Sequence, residues 1–324
     1  MHSLVAQPER RMRMGIRMGP TDAVVVSGLR KTYGRTVAVD GLDLAVERGQ
    51  VFGMLGPNGA GKTTTVEILV GLRTRDAGEA WVLGMDPARQ GRELRSRIGV
   101  QLQVRGLYPR LTVRETVRLF SSFYKRTVPI DDIIEQVGLT AKARTMVRAL
   151  SGGQVQRLGV ALAMVNDADL VFLDEPTTGL DPQARRGLWD VIRGIRSRGK
   201  TVFLTTHYMD EAERLCDKVA VMDHGRIIAF GSPSDLISEH FQEQAIEFSN
   251  SVSADKEKLE KLPGVTRARF GENSATLYTR DVPATMSALM QLATGGGMHI
   301  DDVVVRRATL EDVFLKLTGR RIRE

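Results

Sequence analysis

Residues 56–63, Gly56-Pro57-Asn58-Gly59-Ala60-Gly61-Lys62-Thr63, fit the spacing G-x-x-x-x-G-K-[ST] with nothing inserted. Glycines at these places let the backbone curl until successive N–H groups point inward, as a phosphate group requires. Lys62 would reach the β- and γ-phosphates of a nucleotide and Thr63 would turn its hydroxyl toward a magnesium ion, with Thr64 beside them in the same site. A second grouping follows the apolar run Leu170 to Leu173, which ends in Asp174 and Glu175. A hard cation takes oxygen ligands, so Asp174 suits a magnesium shell. Glu175 suits orienting and deprotonating an attacking water, help that is typically worth about 10²–10⁴-fold. Alone, an Asp-Glu pair after an apolar run is as often a helix cap as a catalytic site; downstream of a phosphate loop, it reads as catalytic.

These residues need strand ends and a helix start to hold them. Val51-Phe52-Gly53-Met54-Leu55 reads as a buried strand running into the glycine loop, and TVEILVGLR (65–73) reads as the helix leaving it. That helix would add its N-terminal partial positive charge at the phosphates. LVFLD (170–174) and TVFLTTH (201–207) are two more short apolar runs, of the kind found in a parallel sheet covered on both faces. Ligands of such sheets sit beyond the carboxyl ends of the strands, where both acids would stand. Before the loop, residues 23–50 alternate and break at glycines, which is antiparallel strand chemistry. Residues 104–150 read as helical. Thr112 and Glu115 frame a capping box ahead of Val117, Phe120 and Tyr124, and IDDIIEQVG forms a short helix stopped by Gly138.

With these pieces in this order, the chain resembles the ABC ATPases over roughly residues 22–236. Leu150-Ser151-Gly152-Gly153-Gln154 is similar to that family's signature motif and precedes the Asp174-Glu175 strand as the family requires. Judged without the family, Ser151 is an N-cap for the helix VQRLGVALAMV. The resemblance implies further roles. Ser151, Gly152, Gly153 and Gln154 would serve the nucleotide held by a partner copy, with contact to its γ-phosphate. Tyr33 would stack on adenine. Gln103, closing IGVQLQ, would sense magnesium and couple to a membrane partner. Asp181, in Gly179-Leu180-Asp181, would cross a dimer interface, and His207 would contact the γ-phosphate. Two departures are small: Val155 follows the signature where a polar residue is common, and no proline precedes Gln103. Neither removes a functional group.

The fold implied is a P-loop NTPase of ABC type, α/β, with an antiparallel β subdomain and a helical subdomain. A finer resemblance is to the ABC-2-type ATPases of the daunorubicin and multidrug resistance group, carried by THYMDEAERLCDKVAVMDHGRIIAFGSPSDLI (206–237) and ATLEDVFLKLTGR (308–320). It implies an exporter ATPase. Two copies would clasp two ATPs head to tail, with Mg2+, and drive a separate ABC-2-type permease docked near YPRLTVRE. The cargo would be drug-like or lipid-like.

Composition agrees with a globular chain of about two domains: 324 residues, 42% hydrophobic and 26% charged. Residues 1–21 read as a basic, disordered tail without a signal-peptide core, and Met1, Met12, Met14 and Met18 suggest that the true start lies downstream. From 237 onward the pattern is βαββαβ and a last helix, the order of a small α+β ferredoxin-like domain over 237–324. The single cysteine, Cys216, reads as a small buried residue on a helix and fits a reducing compartment. We therefore expect a cytoplasmic protein, peripheral on the inner face of the membrane through its permease. The net charge of +7 sits mostly in the tails: Arg10, Arg11, Arg13 and Arg17 against Glu9, and Arg320, Arg321 and Arg323 against Glu324. No nucleic-acid partner is expected. The rival, a soluble ABC ATPase acting on nucleic acid or ribosomes, is disfavoured because there is one cassette and its insert is short. An import ATPase and a non-hydrolysing regulatory partner fit less well.

Overall fold

A computed structural model describes residues 19–102, 106–250, 256–271, 274–294 and 300–319. The basic N-terminal segment with its four methionines, Gln103, and the arginines after Gly319 lie outside the described residues. The chain forms two compact units, one ending at Pro233 and the other beginning at Ser234.

The first unit opens with a long antiparallel hairpin, β1 (Asp22–Tyr33) and β2 (Thr36–Glu47). Its alternating Val24, Val26, Leu42, Leu44 and Val46 are buried on one side. Next come β3 (Val51–Leu55), fully buried, and α1 (Lys62–Leu69). Helix α1 stops short of the run TVEILVGLR. Gly71 turns to φ 74, and the Leu72 N–H bonds back to Glu67 O, so the chain leaves the helix there. β4 (Ala77–Val82) pairs with β1 to complete a sheet of order β2-β1-β4.

After α2 (Gly91–Arg95) and β5 (Ile98–Gln101), the helical insert contains α3 (Val113–Ser121) and α4 (Ile130–Gln136). The Thr112–Glu115 capping box starts α3, Tyr124 lies beyond its end, and Gly138 at φ 65 closes the turn after α4. Single 3-10 turns at Thr140–Lys142 and Val147–Ala149, with a bridge between Thr112 and Met146, make the rest of the insert. Then follow α5 (Gly152–Ala163), β6 (Leu170–Asp174), α6 (Pro182–Ser197), β7 (Thr201–Thr206), α7 (Met209–Leu215), β8 (Lys218–Asp223) and β9 (Arg226–Gly231). The central sheet has the order β5-β6-β7-β3-β8-β9, parallel except for β9. Cys216 caps the end of α7 in extended backbone rather than standing within the helix, and it is buried.

The three central strands are buried from end to end. Phe203 of β7 packs on Phe52 of β3 at 5.0 Å between ring centroids and on Phe172 of β6 at 5.3 Å. Each such pair contributes about 0.5–1.5 kcal/mol beyond its buried area. The β6 and β7 strands therefore present their polar ends, Asp174 and Thr205-Thr206, beside the start of the glycine loop.

The second unit begins along α8 (Pro233–His240) and continues as β10 (Gln244–Asn250), α9 (Lys256–Glu260), β11 (Val265–Phe270), β12 (Ser274–Thr279), α10 (Val282–Leu292), β13 (Ile300–Arg306) and α11 (Leu310–Thr318). Its sheet order, β11-β12-β10-β13 and antiparallel throughout, is the ferredoxin-like arrangement. Ile246, Phe248, Leu259, Ala275, Leu277 and Leu289 form its core.

Candidate functional site

The loop between β3 and α1 is enclosed by backbone. A side chain at Gly56 would put its Cβ 2.2 Å from Met222 O, and one at Gly61, which has φ 104, would stand 2.2 Å from Ala38 O. Only glycine fits at either place. The Gly56 N–H bonds Thr206 O and the Gly225 N–H bonds Ala60 O, so β7 and the β8–β9 turn hold the loop's two ends. Pro57, Asn58 and Gly59 form its outer rim, and Ala60 is buried beneath.

Lys62 is buried at the start of α1. Its ammonium donates to Gly56 O at 2.8 Å and Pro57 O at 3.1 Å, and lies 3.3 Å from Glu175 Oε1. Burial lowers its pKa, and Glu175 opposes that effect. Thr63 Oγ1 reaches both Asp174 carboxylate oxygens, at 3.3 and 3.2 Å. Burial raises the Asp174 pKa against the hydrogen bonds from Thr205 and Thr63. A hydroxyl and a carboxylate side by side are the hard oxygen donors that Mg2+ accepts when phosphates and water fill its other positions. Thr64 follows on the same helical turn, half-buried.

Glu175 has left-handed backbone at φ 48, an uncommon state for a residue with a side chain. Its carboxylate lies between Lys62 and His207, with His207 Nδ1 3.4 Å from Oε2 but outside hydrogen-bond geometry. The Thr178 hydroxyl also donates to Oε2, at 3.3 Å. His207 contributes most to holding Glu175 down to about 2, burial opposes it, and Lys62 adds to the depression. Glu175 is thus an ionised carboxylate at neutral pH, in a half-shielded site beside a cation. Asp174, Glu175 and His207 stand at the ends of β6 and β7, and Lys62 and Thr63 open α1 after the loop that leaves the neighbouring β3.

Comparisons with known proteins identify the family. The ABC transporter family matches residues 39–178, and the C-terminal domain of DrrA1-3-like ATP-binding proteins matches residues 231–318. The Nod factor export ATP-binding protein I of Ralstonia nicotianae is 41% identical over 318 residues, covering 96% of this chain and 98% of that protein. The chain belongs to the ABC transporter ATP-binding proteins. Another relative in that family, the Nod factor export ATP-binding protein I of Rhizobium etli, is 41% identical over 92% of this chain and 94% of its own length. Among solved structures, cbiO1 of Clostridium perfringens, part of the ABC transporter complex cbiONQ, superposes with a TM-score of 0.62. It is 28% identical and covers 68% of this chain and 92% of its own. A dimeric ATP-binding cassette in a post-hydrolysis state, bound to ADP and phosphate, superposes at 0.58 with 25% identity, over 64% of this chain and 98% of its own.

In this ABC protein the remaining expected residues stand outside the Lys62–Glu175–His207 cluster. Tyr33, 41% exposed at the hairpin tip, has Lys31 Nζ and the Arg73 guanidinium each 5.5 Å from its ring centroid. Ser151 and Gln154 form a reciprocal capping box at the start of α5: Gln154 N–H donates to Ser151 Oγ and Ser151 N–H donates to Gln154 Oε1. Gly152 is exposed, and Gly153 packs so closely on α6 that a Cβ there would meet Ala184 Cβ at 2.8 Å. Asp181 caps α6 by accepting from the Gln183 and Ala184 N–H groups. Among the described residues, no hydrogen bond or ion pair of the cluster comes from 151–154 or from Asp181.

Sequence reasoning overlooked Thr205. Its buried hydroxyl donates to Asp174 Oδ1 at 2.6 Å and accepts from the Glu175 N–H at 2.9 Å, so one side chain sets both acids. The signal was present: two threonines at the end of an otherwise apolar strand, directly before His207.

Proposed function

We propose that this chain binds ATP with Mg2+, hydrolyses it, and uses two copies to drive a separate membrane permease in export. The observation that carries the reading is the convergence of Lys62, Thr63, Asp174, Glu175 and His207 beside a glycine loop that leaves no room for side chains at 56 and 61. The loop's N–H groups and the start of α1 would hold the phosphates. Thr63 and Asp174, with Gln103, would hold the magnesium ion, which supplies charge neutralisation for the β- and γ-phosphates. Lys62 would leave the loop carbonyls for a phosphate oxygen, and Glu175 would take a proton from the attacking water. His207 would hold the γ-phosphate and orient Glu175. Phosphoryl transfer asks a protein mainly for such positioning and charge stabilisation.

The second copy enters because Ser151, Gly152, Gly153 and Gln154 are on an exposed helix start and supply nothing to their own chain's cluster. Set head to tail, two chains would bring Ser151 and Gly153 of each to the nucleotide of the other, with Asp181 at the interface and Tyr33 on adenine. The dimeric, ADP- and phosphate-bound relative supports this arrangement. Export is supported by the relatives' name, Nod factor export, and by the DrrA1-3-like C-terminal domain at 231–318. We propose a drug-like or lipid-like cargo, an ABC-2-type permease as partner, and a location on the inner membrane face through that permease. No helix among the described residues is long and apolar enough to cross a membrane.

Phosphate release from ATP with magnesium by the purified chain tests the catalytic reading. Release well above that of a Lys62→Ala control is expected; release equal to that control would overturn it. Copurification with a multi-span permease tests the partner.

A further inference from the structure

Glu211, on the first turn of α7, is fully buried and has no part in the chemistry above. Trp189 Nε1 of α6 donates to its Oε1 at 3.0 Å. Its other oxygen, Oε2, has no hydrogen bond of good geometry. Burial raises its pKa, opposed by the hydroxyls of Thr206 and Thr177, by Trp189 and by the Arg185 guanidinium, while Thr177 Oγ1 itself has no hydrogen bond of good geometry. A buried carboxylate with one oxygen unpaired is destabilising, because the desolvation of that oxygen is not repaid by a partner. An apolar side chain would make a better core, so the group calls for an explanation beyond packing.

The explanation lies in what the two facing segments carry. Thr177 stands two residues after Glu175, and Glu211 stands four residues after His207. The Glu175–His207 contact joins these two segments, and the Trp189–Glu211 hydrogen bond ties the helix that follows His207 to α6. Tyr208 links His207 to α6: its ring centroid lies 4.1 Å from that of His207, and the Arg185 guanidinium lies 4.1 Å from the same centroid. The Tyr208 N–H is fixed by Thr206 Oγ1 at 3.0 Å.

We propose that Glu211 is a positioning residue for His207, fastening α7 to α6 through Trp189. In this role it sets the distance between the imidazole and the carboxylate of Glu175. It does not touch nucleotide. The inference rests on the ATPase reading of the site.

The test is steady-state ATP hydrolysis by the full chain with Glu211→Ala and Glu211→Gln. The glutamine keeps the length and an acceptor for Trp189, so kcat within about twofold of wild type is expected. The alanine should lower kcat by about tenfold or more while KM for ATP stays within about twofold, since the phosphate loop is untouched. An alanine variant with wild-type kcat would overturn the proposal, as would a glutamine variant as impaired as the alanine or a KM that rises in step. Should Glu211→Ala not fold, Trp189→Phe removes the Nε1–H donor and keeps the ring. It should lower kcat without raising KM. Unchanged kcat in Trp189→Phe would count against the fastening. If wild type itself releases no phosphate, the ATPase reading fails; an active wild type with an equally active Glu211→Ala fails this inference alone.

Discussion

Lys62 Nζ lies 3.3 Å from Glu175 Oε1, and both side chains are shielded from solvent. On the proposed reading, this pairs the cation that would take phosphate with the carboxylate that would take a proton from water. A γ-phosphate would offer Lys62 a stronger partner than one carboxylate, so its arrival would release Glu175 to accept a proton. The ion pair would thereby link occupancy of the loop to the readiness of the base.

Glu175→Gln should keep ATP binding, because the loop and Lys62 remain, and should lower turnover by at least about 10²-fold. With the γ-phosphate left uncleaved, the variant should accumulate as a dimer in ATP. Size-exclusion chromatography with and without ATP, beside a phosphate-release assay, checks both parts. Turnover near wild type would remove Glu175 from the role of base.

Lys62→Ala should weaken ATP binding, measured by titration with a fluorescent analogue. Ser151→Ala should bind ATP normally yet turn over slowly. Mixed together, the two inactive variants should recover activity. A head-to-tail mixed dimer contains one site built from the intact Lys62 of one chain and the intact Ser151 of the other. No recovery on mixing would argue that each chain works with its own signature.

Thr205→Val removes one hydroxyl and keeps the shape. Asp174 loses a donor at 2.6 Å and the Glu175 N–H loses its 2.9 Å acceptor. Unfolding in urea should show a loss of about 1–3 kcal/mol, the usual cost of an unpaired buried polar group. The magnesium dependence of hydrolysis should also shift to higher concentration, because Asp174 is no longer fixed. A variant matching wild type in both measurements would make Thr205 an ordinary core residue.

Glu175 titrates at about 2 in the folded chain, below its ordinary 4.5, with His207 as the leading cause. A carboxylate depressed on folding stabilises the native state fully above its unfolded value. That stabilisation is lost as pH falls through the window between the two values. The stability gap between wild type and Glu175→Gln should therefore be widest at neutral pH and narrow from about pH 4.5 downward. Urea midpoints of the two proteins at neutral and acid pH measure it. A gap that does not change with pH would contradict the depressed value.

What could be read in advance followed the range of the interactions involved. The phosphate loop, the capping boxes at Thr112 and Ser151, and the succession of strands and helices in the second unit depend on residues within a few positions of one another. The end of α1 was misplaced by about a turn, because apolar periodicity continues through Val70 and Leu72 while Gly71 reverses the backbone. Thr205 was missed because its partners, Asp174 and Glu175, are some thirty residues upstream and meet it only across the β6–β7 pairing. The pairing of Trp189 with Glu211 is of the same kind: a buried carboxylate looks, in a helix reading MDEAERL, like any solvent-facing acid.

The aromatic rings of Phe172, Phe203 and Phe52 interlock beneath the three strands that end in Asp174, Thr206 and the glycine loop. No one of these strands can slide without prising apart a ring from its neighbour. The floor of the site is therefore an anvil, braced across three strands. On the proposed reading, whatever opened and shut with each nucleotide would have to be hung around it, on pieces such as the α5 start, rather than built into it.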